Sequence, residues 1–313
     1  MVSSIFFVIA LLTGWSIVSI QGGLKLSGIM ISRQDYTYRA LDACKQCHEQ
    51  VYHFLNSSFE DALKRMELGS TLETPMPTYY TAGLHAETQS QVRNTLRIYR
   101  NALDDFGLSS ISISYNGGKD CLVMLVIYLA AIYDNYLKSG KNISKINSVY
   151  INNEETFREQ DAFLKESVAA YGLDFVPLKS GMKEGFQEYL DKYPKIKAII
   201  VGIRRIDPYG AHMNVRQHTD NGWPDFVRLS PVLEWNTSEI WYFLRATETS
   251  YCSLYNKGYT SLGGVNTTIP NPLLRREDGT YLPAYMLQHD NGERLGRVTD
   301  KKSGQLDRRE GKL

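Results

Sequence analysis

The sequence predicts an α/β protein built on a parallel, twisted sheet with flanking helices. Short β-branched and apolar segments recur at 111–115, 146–152, 173–178 and 197–203. Segments of helix length separate them, which is the pattern of crossover connections between parallel strands. One of these segments, 122–138, is apolar over most of its surface. It should therefore lie deep against the sheet.

Apolar periodicity and stop signals predict the helices. Apolar residues recur every three or four positions across 41–55 and 92–103, the spacing of amphipathic helices. Gly107 follows the second of these segments. Gly172 and Pro194 follow two further helical segments between the predicted strands. Glycine and proline are the usual residues just beyond a helix end, so these positions mark the boundaries.

The chain beyond Arg204 is irregular and polar, and it is dense in Gly, Pro, Asp and Trp. A helix is predicted over 236–247, with Asn236 or Thr237 as its cap and Glu239 in its first turn. Four regions follow from these patterns. They are an apolar N-terminal segment (1–24), a helical N-terminal region (25–106), an α/β domain (107–235) and an irregular C-terminal region (236–313).

The run from Ile5 to Ile20 carries no charge and, with its flanks, approaches the ~20 residues needed to cross a bilayer. Basic residues follow this run rather than precede it, which would keep the rest of the chain in the cytoplasm. The sequence leaves three interpretations open. Residues 5–20 are a membrane anchor that leaves the rest of the chain in the cytoplasm, they are a signal segment, or translation starts near Met30.

Composition limits the function classes. The 313 residues carry a formal net charge of +1, which gives no indication of a nucleic-acid partner. Four cysteines are too few for a disulfide scaffold in so long a chain and favour a reducing compartment. Cys44 and Cys47 begin a C-x-x-C-H haem attachment pattern. Core packing is the preferred interpretation for Cys44, since free cysteine behaves as a small hydrophobe.

The segment SISYNGGKDC, at 112–121, predicts an anion site. A strand leads into two glycines and then into the start of a helix, where unpaired backbone N–H groups and the helix dipole favour a phosphate. Lys119 could add a mobile positive charge. The segment is not a Walker A loop, because Asp120 follows the lysine where that motif has a hydroxyl residue. An acid at this place suggests metal recruitment through a carboxylate.

The segment SYNGGKDC resembles the pyrophosphate loop of the eukaryotic FAD synthase (FMN adenylyltransferase) family, within the adenylyl-sulfate (PAPS) reductase-like superfamily of adenine nucleotide alpha hydrolase-like folds. Further resembling segments follow in the family's order: VGIRRIDPYG, TDNGWPDFVRLSPVLEW, LYNKGYTSLGGVNTTIPNPLL and NGERLGR. The resemblance covers residues 110–300. Several ordered motifs are far more specific than one.

The resemblance implies transfer of the AMP moiety of ATP to FMN, giving FAD and pyrophosphate, with Mg²⁺ as the metal and Asp120 as its ligand. It implies catalytic roles for Asn116, Asp120, Arg294 and Arg297. It also implies that ATP and FMN bind at Ser114, Tyr115, Gly117, Gly118, Lys119, Gly202, Ile203, Arg204, Asp207, Asp220, Trp223 and Arg228. Asp207, Asp220 and Trp223 match the flavin side. On this resemblance, 107–235 is a nucleotide-binding domain with a pyrophosphate loop, and 236–313 is a substrate-binding region. Flavoprotein clients are conceivable partners of such an enzyme.

Three alternatives stay open at this point. A sulfonucleotide reductase would need a nucleophilic cysteine in the C-terminal tail, and none follows Cys252. A sulfate adenylyltransferase subunit would leave the tryptophan-bearing segment unexplained. A membrane-anchored module that binds flavin without catalysis would not need Asp120 and the arginine pair.

Overall fold

The computed structural model describes residues 33–68, 75–143, 145–220 and 222–298. The predicted anchor at residues 5–20 lies outside them. The helices are α1 (Arg33–Asn56), α2 (Phe59–Leu68), α3 (Ala82–Phe106), α4 (Lys119–Ser139), α5 (Arg158–Ala170), α6 (Met182–Lys192) and α7 (Thr237–Ala246). The strands are β1 (Ile111–Ser114), β2 (Ile146–Ile151), β3 (Leu173–Leu178), β4 (Ala198–Ile200), β5 (Arg216–His218) and β6 (Val227–Leu229).

The strands form one sheet in the order β3-β2-β1-β4-β6-β5. All neighbouring pairs are parallel except β5 and β6, which pair antiparallel. The predicted α/β fold with a parallel sheet and flanking helices is confirmed, and β5 makes the sheet mixed. Chain order reverses between β1 and β4, so a crevice opens beyond their carboxyl ends. In sheets of this kind, ligands bind at that crevice.

Strand β4 shows why the sheet is buried on both faces. Ala198 and Ile200 face the cluster formed with α1, α3 and α4, whereas Ile199 and Val201 face the smaller cluster beneath α6. Successive side chains of a strand point to opposite faces, so a strand covered on both sides must be apolar throughout. The continuous apolar run in the sequence has this cause.

Helix α4 is the hydrophobic centre of the molecule. Twelve of its residues are buried, and it packs against α1, α3 and α7. Among the described helices, α4 alone is long and apolar enough to cross a membrane, but most of its apolar stretch is buried as in a core helix. Cys44 and Cys47 are free thiols buried in the same core. Burial raises the pKa of both, so they act here as packing groups.

Candidate active site

The loop between β1 and α4 opens the site. Gly117 has a positive φ of 75°, and Gly118 is the residue before the first turn of α4. Glycine adopts a positive φ at little cost, whereas most other residues are strained there. The backbone N–H of Gly118 donates to Asn116 Oδ1 at 2.9 Å, and that of Lys119 donates to the Tyr255 hydroxyl at 2.9 Å. Two oxygen acceptors therefore already lie at the start of the helix, where an anion would bind.

A second loop, after β4, closes the same crevice. A Cβ added to Gly202 would lie 2.8 Å from the Cys121 sulfur, so the backbone approaches α4 as closely as a glycine permits. Burial raises the pKa of Cys121 to about 12. This thiol therefore stays neutral and is not an activated nucleophile.

The C-terminal tail meets both loops. A short 3-10 helix, Asp290–Gly296, carries Glu293 and Arg294, and Arg297 follows it. Together with the loops it encloses a cavity of about 260 Å³. Its lining residues are Asn116, Gly118, Lys119, Asp120, Cys121, Gly202, Ile203, Asp207, Tyr255, Ser261, Leu262, Glu293, Arg294 and Arg297.

A buried network of charges lies under this cavity. Lys119 Nζ is 3.0 Å from Asp120 Oδ2 and 2.6 Å from Glu293 Oε1. Arg204 Nε is 2.8 Å from Asp120 Oδ1, and its guanidinium also binds Glu293. Lys119 and Arg204 are almost fully buried. Buried charges are tolerated only when they are paired, and here Lys119 has two carboxylate partners and Arg204 has three, the third being Asp290.

The pKa shifts follow from these pairs. Burial alone would raise the pKa of Glu293, but Lys119 and Arg204 outweigh it and lower the pKa to about 2. Burial raises the pKa of Asp207. The hydrogen bond from the Arg204 N–H lowers this pKa, and the nearby Asp120 carboxylate raises it. Burial lowers the pKa of Arg297, and the neighbouring Arg294 lowers it further.

Comparison with known proteins decides the family. The phosphoadenosine phosphosulfate reductase domain family matches residues 110–185 and 181–270. The probable FAD synthase of Schizosaccharomyces pombe is 41% identical over 210 residues, which are 67% of this chain and 79% of that protein. The flavin adenine dinucleotide synthase of Saccharomyces cerevisiae is 38% identical over 53% of this chain and 60% of its own length.

The chain belongs to the FAD synthase family. Solved structures agree with this assignment. The crystal structure of Candida glabrata FMN adenylyltransferase in complex with FAD and inorganic pyrophosphate has a TM-score of 0.72 at 29% identity, over 83% of this chain and 97% of that one. The complex of the same enzyme with ATP has a TM-score of 0.70 at 29% identity, over 84% of this chain and 98% of that one. The resemblance seen in the sequence is thereby confirmed.

The cavity gathers most of the predicted site residues. Those that line it are Asn116, Gly118, Lys119, Asp120, Gly202, Ile203, Asp207, Arg294 and Arg297. Ser114, Tyr115 and Gly117 belong to the end of β1 and the loop beside it without lining the cavity, and Arg204 lies buried beneath it. Lys119 differs from the expectation of a mobile charge, because two carboxylates hold it in the interior.

Of the three residues predicted for the flavin side, Asp207 lines the cavity, whereas Asp220 and Trp223 lie away from it, as does Arg228. Asp220 and Trp223 are in the turn between β5 and β6, and Arg228 is in β6. Trp223 is 37% exposed, and its ring centroid is 6.3 Å from that of Phe186. Arg228 contacts the sulfur of Met213 at 3.7 Å. Asp220, Trp223 and Arg228 do not line the cavity, and their substrate-binding roles stay predictions.

Sequence reasoning missed several lining residues, of which Tyr255 and Glu293 both accept hydrogen bonds from Lys119. Both lie inside segments quoted for the resemblance, and Glu293 directly precedes Arg294. Their position within those motifs was the only signal. Nothing in the spacing of Glu293 indicates that it meets Lys119 from the other end of the chain.

Proposed function

We propose that this chain is an FAD synthase, which transfers the adenylyl group of ATP to FMN and releases pyrophosphate. The observation that carries the proposal is the meeting of the β1–α4 loop with Arg294 and Arg297 at one cavity, in a chain of the FAD synthase family. An oxygen of the FMN phosphate attacks the α-phosphorus, and the bond to the β-phosphate oxygen breaks. Such reactions need positioning and charge neutralisation more than covalent work by the protein.

The β1–α4 loop would hold the pyrophosphate end of ATP. The Asn116 amide oxygen and the Tyr255 hydroxyl each accept a backbone N–H at the start of α4. Phosphate oxygens are stronger acceptors for such N–H groups, and the helix dipole favours their negative charge. We infer that the β- and γ-phosphates replace these two acceptors. The amides are thus already oriented before the substrate binds.

The charge of the cavity supports a requirement for an added cation. Its lining carries three cationic and three carboxylate side chains: Lys119, Arg294, Arg297, Asp120, Asp207 and Glu293. The lining is therefore neutral overall, whereas its two substrates are polyanions. Mg²⁺ bound to phosphate oxygens would supply the missing positive charge and polarise the phosphates.

Asp120 and Asp207 are the carboxylates that would hold this Mg²⁺. No cluster of three or more metal-ligating side chains occurs within the described residues, but Mg²⁺ usually takes one or two carboxylates and completes its shell with phosphates and water. Both oxygens of Asp120 already face Lys119 or Arg204. Asp207 has a freer oxygen, Oδ1, whose Arg294 contact is 3.5 Å.

Arg294 and Arg297 would bind the reacting phosphates from the other side. The Arg294 side chain is 42% exposed, and among the described residues its guanidinium has one polar partner, Asp207 at 3.5 Å, so it can turn to a substrate. Arg297 is half-buried against the backbone of Gly263. A planar guanidinium group can bind two phosphate oxygens at once. Such contacts stabilise the negative charge that develops on the phosphates in the transition state.

One experiment tests the activity. Purified protein is incubated with FMN, ATP and Mg²⁺, and FAD and pyrophosphate are quantified by chromatography and a phosphate assay. We expect equal amounts of both products, and none when FMN or Mg²⁺ is left out. Bound FMN without any FAD would instead support a flavin-binding module, and pyrophosphate release that depends on sulfate would support an adenylyl-sulfate enzyme.

A further inference from the structure

Glu293 is the most enclosed carboxylate of the cavity, with 3% of its surface exposed. Its two oxygens serve different partners. Oε1 accepts from Lys119 Nζ at 2.6 Å. Oε2 accepts from the guanidinium of Arg204 and from the Thr237 hydroxyl. One side chain of the tail thus joins the β1–α4 loop (called the nucleotide loop below), the end of β4 and the start of α7.

The backbone around Glu293 is fixed as firmly as its side chain. Its carbonyl accepts from the Thr260 hydroxyl at 2.5 Å, and Asn271 Nδ2 donates to the carbonyl of Gly292 at 2.7 Å. Thr260 and Asn271 are themselves buried. The side chain of Asp290 and the backbone of Gly296 and Val298 also fix the tail. Glu293 is the anchor that lies nearest to Arg294 and that joins the tail to Lys119.

Water cannot replace Glu293 as the partner of Lys119 and Arg204. Lys119 and Arg204 are buried to 98% or more of their surface. Burial lowers the pKa of each cation, but Asp120 and Glu293 outweigh that effect and raise it. Removing one partner of such a buried group leaves an uncompensated charge, so the arrangement depends on Glu293 as well as on Asp120.

We propose that Glu293 is a positioning residue for adenylyl transfer, which pins the C-terminal tail to the nucleotide loop so that Arg294 and Arg297 face the reacting phosphates. The inference rests on the proposed function. Glu293 does not contact the substrate; it acts through the two arginines. Lys119 and Arg204 are the two cations with which it pairs.

The test compares Glu293→Gln in two backgrounds, the parent chain and the double variant Arg294→Ala/Arg297→Ala. Single-turnover FAD formation is measured with saturating ATP, FMN and Mg²⁺, and FMN affinity is measured by flavin fluorescence. In the parent background we expect Glu293→Gln to slow transfer about thirtyfold or more, a loss of the size seen when a transition-state donor is misplaced. In the arginine-less background we expect less than a threefold further loss, because the groups that Glu293 positions are gone.

Glu277→Gln is the matched control, since it removes an exposed carboxylate of the same C-terminal region and should leave the rate unchanged. Equal slowing by Glu293→Gln in both backgrounds would overturn the proposal, because it would indicate a general structural role or direct substrate contact. A parent-like rate for Glu293→Gln would overturn it as well. A parent chain that forms no FAD would instead refute the proposed function itself.

Glu293→Asp keeps the test decisive if the glutamine variant does not fold. It retains the charge but is one methylene shorter, so it cannot hold Lys119 and Arg204 at their present distances together. We expect a loss of roughly five- to tenfold in the parent background and none in the arginine-less one. Loss of the same size in both backgrounds would contradict a positioning role.

Discussion

At the scale of single residues, Asp120 has the most demanding position in the site. Its two oxygens bind two different buried cations, and the residue also lines the cavity. Asp120 therefore both neutralises buried cations and faces the substrate cavity. The same carboxylate that offsets Lys119 and Arg204 is the one that the sequence indicates as a metal ligand.

Asp120→Asn is expected to reduce FAD formation at least a hundredfold while FMN affinity stays within about twofold. The change removes one negative charge from the cavity, and two residues predicted for the flavin side, Asp220 and Trp223, do not line it. Rapid-quench measurement of FAD and fluorescence titration of FMN check the two halves. Turnover close to the parent's at saturating Mg²⁺ would rule out the metal role.

The pH dependence of stability depends on Glu293. Its pKa in the folded protein is about 2, below its usual value of 4.5. A depressed carboxyl pKa stabilises the fold above the unfolded pKa, and that stabilisation is lost as pH falls from about 4.5 towards 2. The full effect is on the order of 3 kcal/mol.

The expected result is a free energy of unfolding that differs between the parent and Glu293→Gln more at pH 7 than at pH 3.5. Urea unfolding at the two pH values, with Glu277→Gln as the control, measures this difference. An equal difference in the free energy of unfolding at both pH values would show that Lys119 and Arg204 do not hold Glu293 in its ionised form.

At the scale of elements, the loop at 259–264 supports the tail. A Cβ at Gly263 would overlap the guanidinium of Arg297, and one at Gly264 would lie 2.6 Å from an oxygen of Glu154. That oxygen accepts the N–H of Gly264 at 2.6 Å. The loop therefore places Arg297 from one side while the acidic turn after β2 holds the loop from the other.

Gly263→Ala should displace the Arg297 guanidinium and slow FAD formation about tenfold or more, with little change in stability, because the overlapping group is the flexible end of a side chain. Thermal unfolding and steady-state rates separate the two effects. Gly83→Ala is the control, since its Cβ would meet only Thr81 Oγ1 at an ordinary 3.6 Å. A parent-like rate for Gly263→Ala would show that the reaction does not depend on the present position of the Arg297 guanidinium.

The elements also show what sequence patterns can predict. Strands β1 to β4 were predictable because each is a short β-branched or apolar run that helical segments separate from the next. β5 (Arg216–His218) was not, since it is polar and largely exposed, and β6 (Val227–Leu229) has a charged residue at its centre. Their place in the sheet comes from the pairing of β6 with β4 and of β5 with β6, which no local pattern records.

At the scale of the whole molecule, the site joins residues far apart in the chain. Lys119 and Glu293 are separated by 174 positions yet form a buried ion pair. The nucleotide loop and the paired arginines could be predicted, because each is a local motif. The network between them could not, since it depends on how the tail folds back over the crevice beyond β1 and β4.

A chain that begins at Met30 is expected to fold and to form FAD at the parent rate, because the described site residues all lie between 116 and 297. Expression of both chains, with rates measured under the same conditions, checks this. A chain that begins at Ser57 is the control, since loss of α1 would uncover apolar α4 and should cause aggregation. Aggregation of the Met30 chain beside a stable full-length chain would contradict the expectation.

The neutral lining of the cavity has a consequence for how substrate arrives. A pocket with excess positive charge draws anions from a distance and accelerates their capture, at the cost of strong sensitivity to salt. This pocket has no such excess. Nucleotides should therefore reach it by ordinary diffusion, and ATP already carrying its metal should be favoured over the bare tetra-anion. Recognition then depends on short-range fit, which physiological salt hardly disturbs.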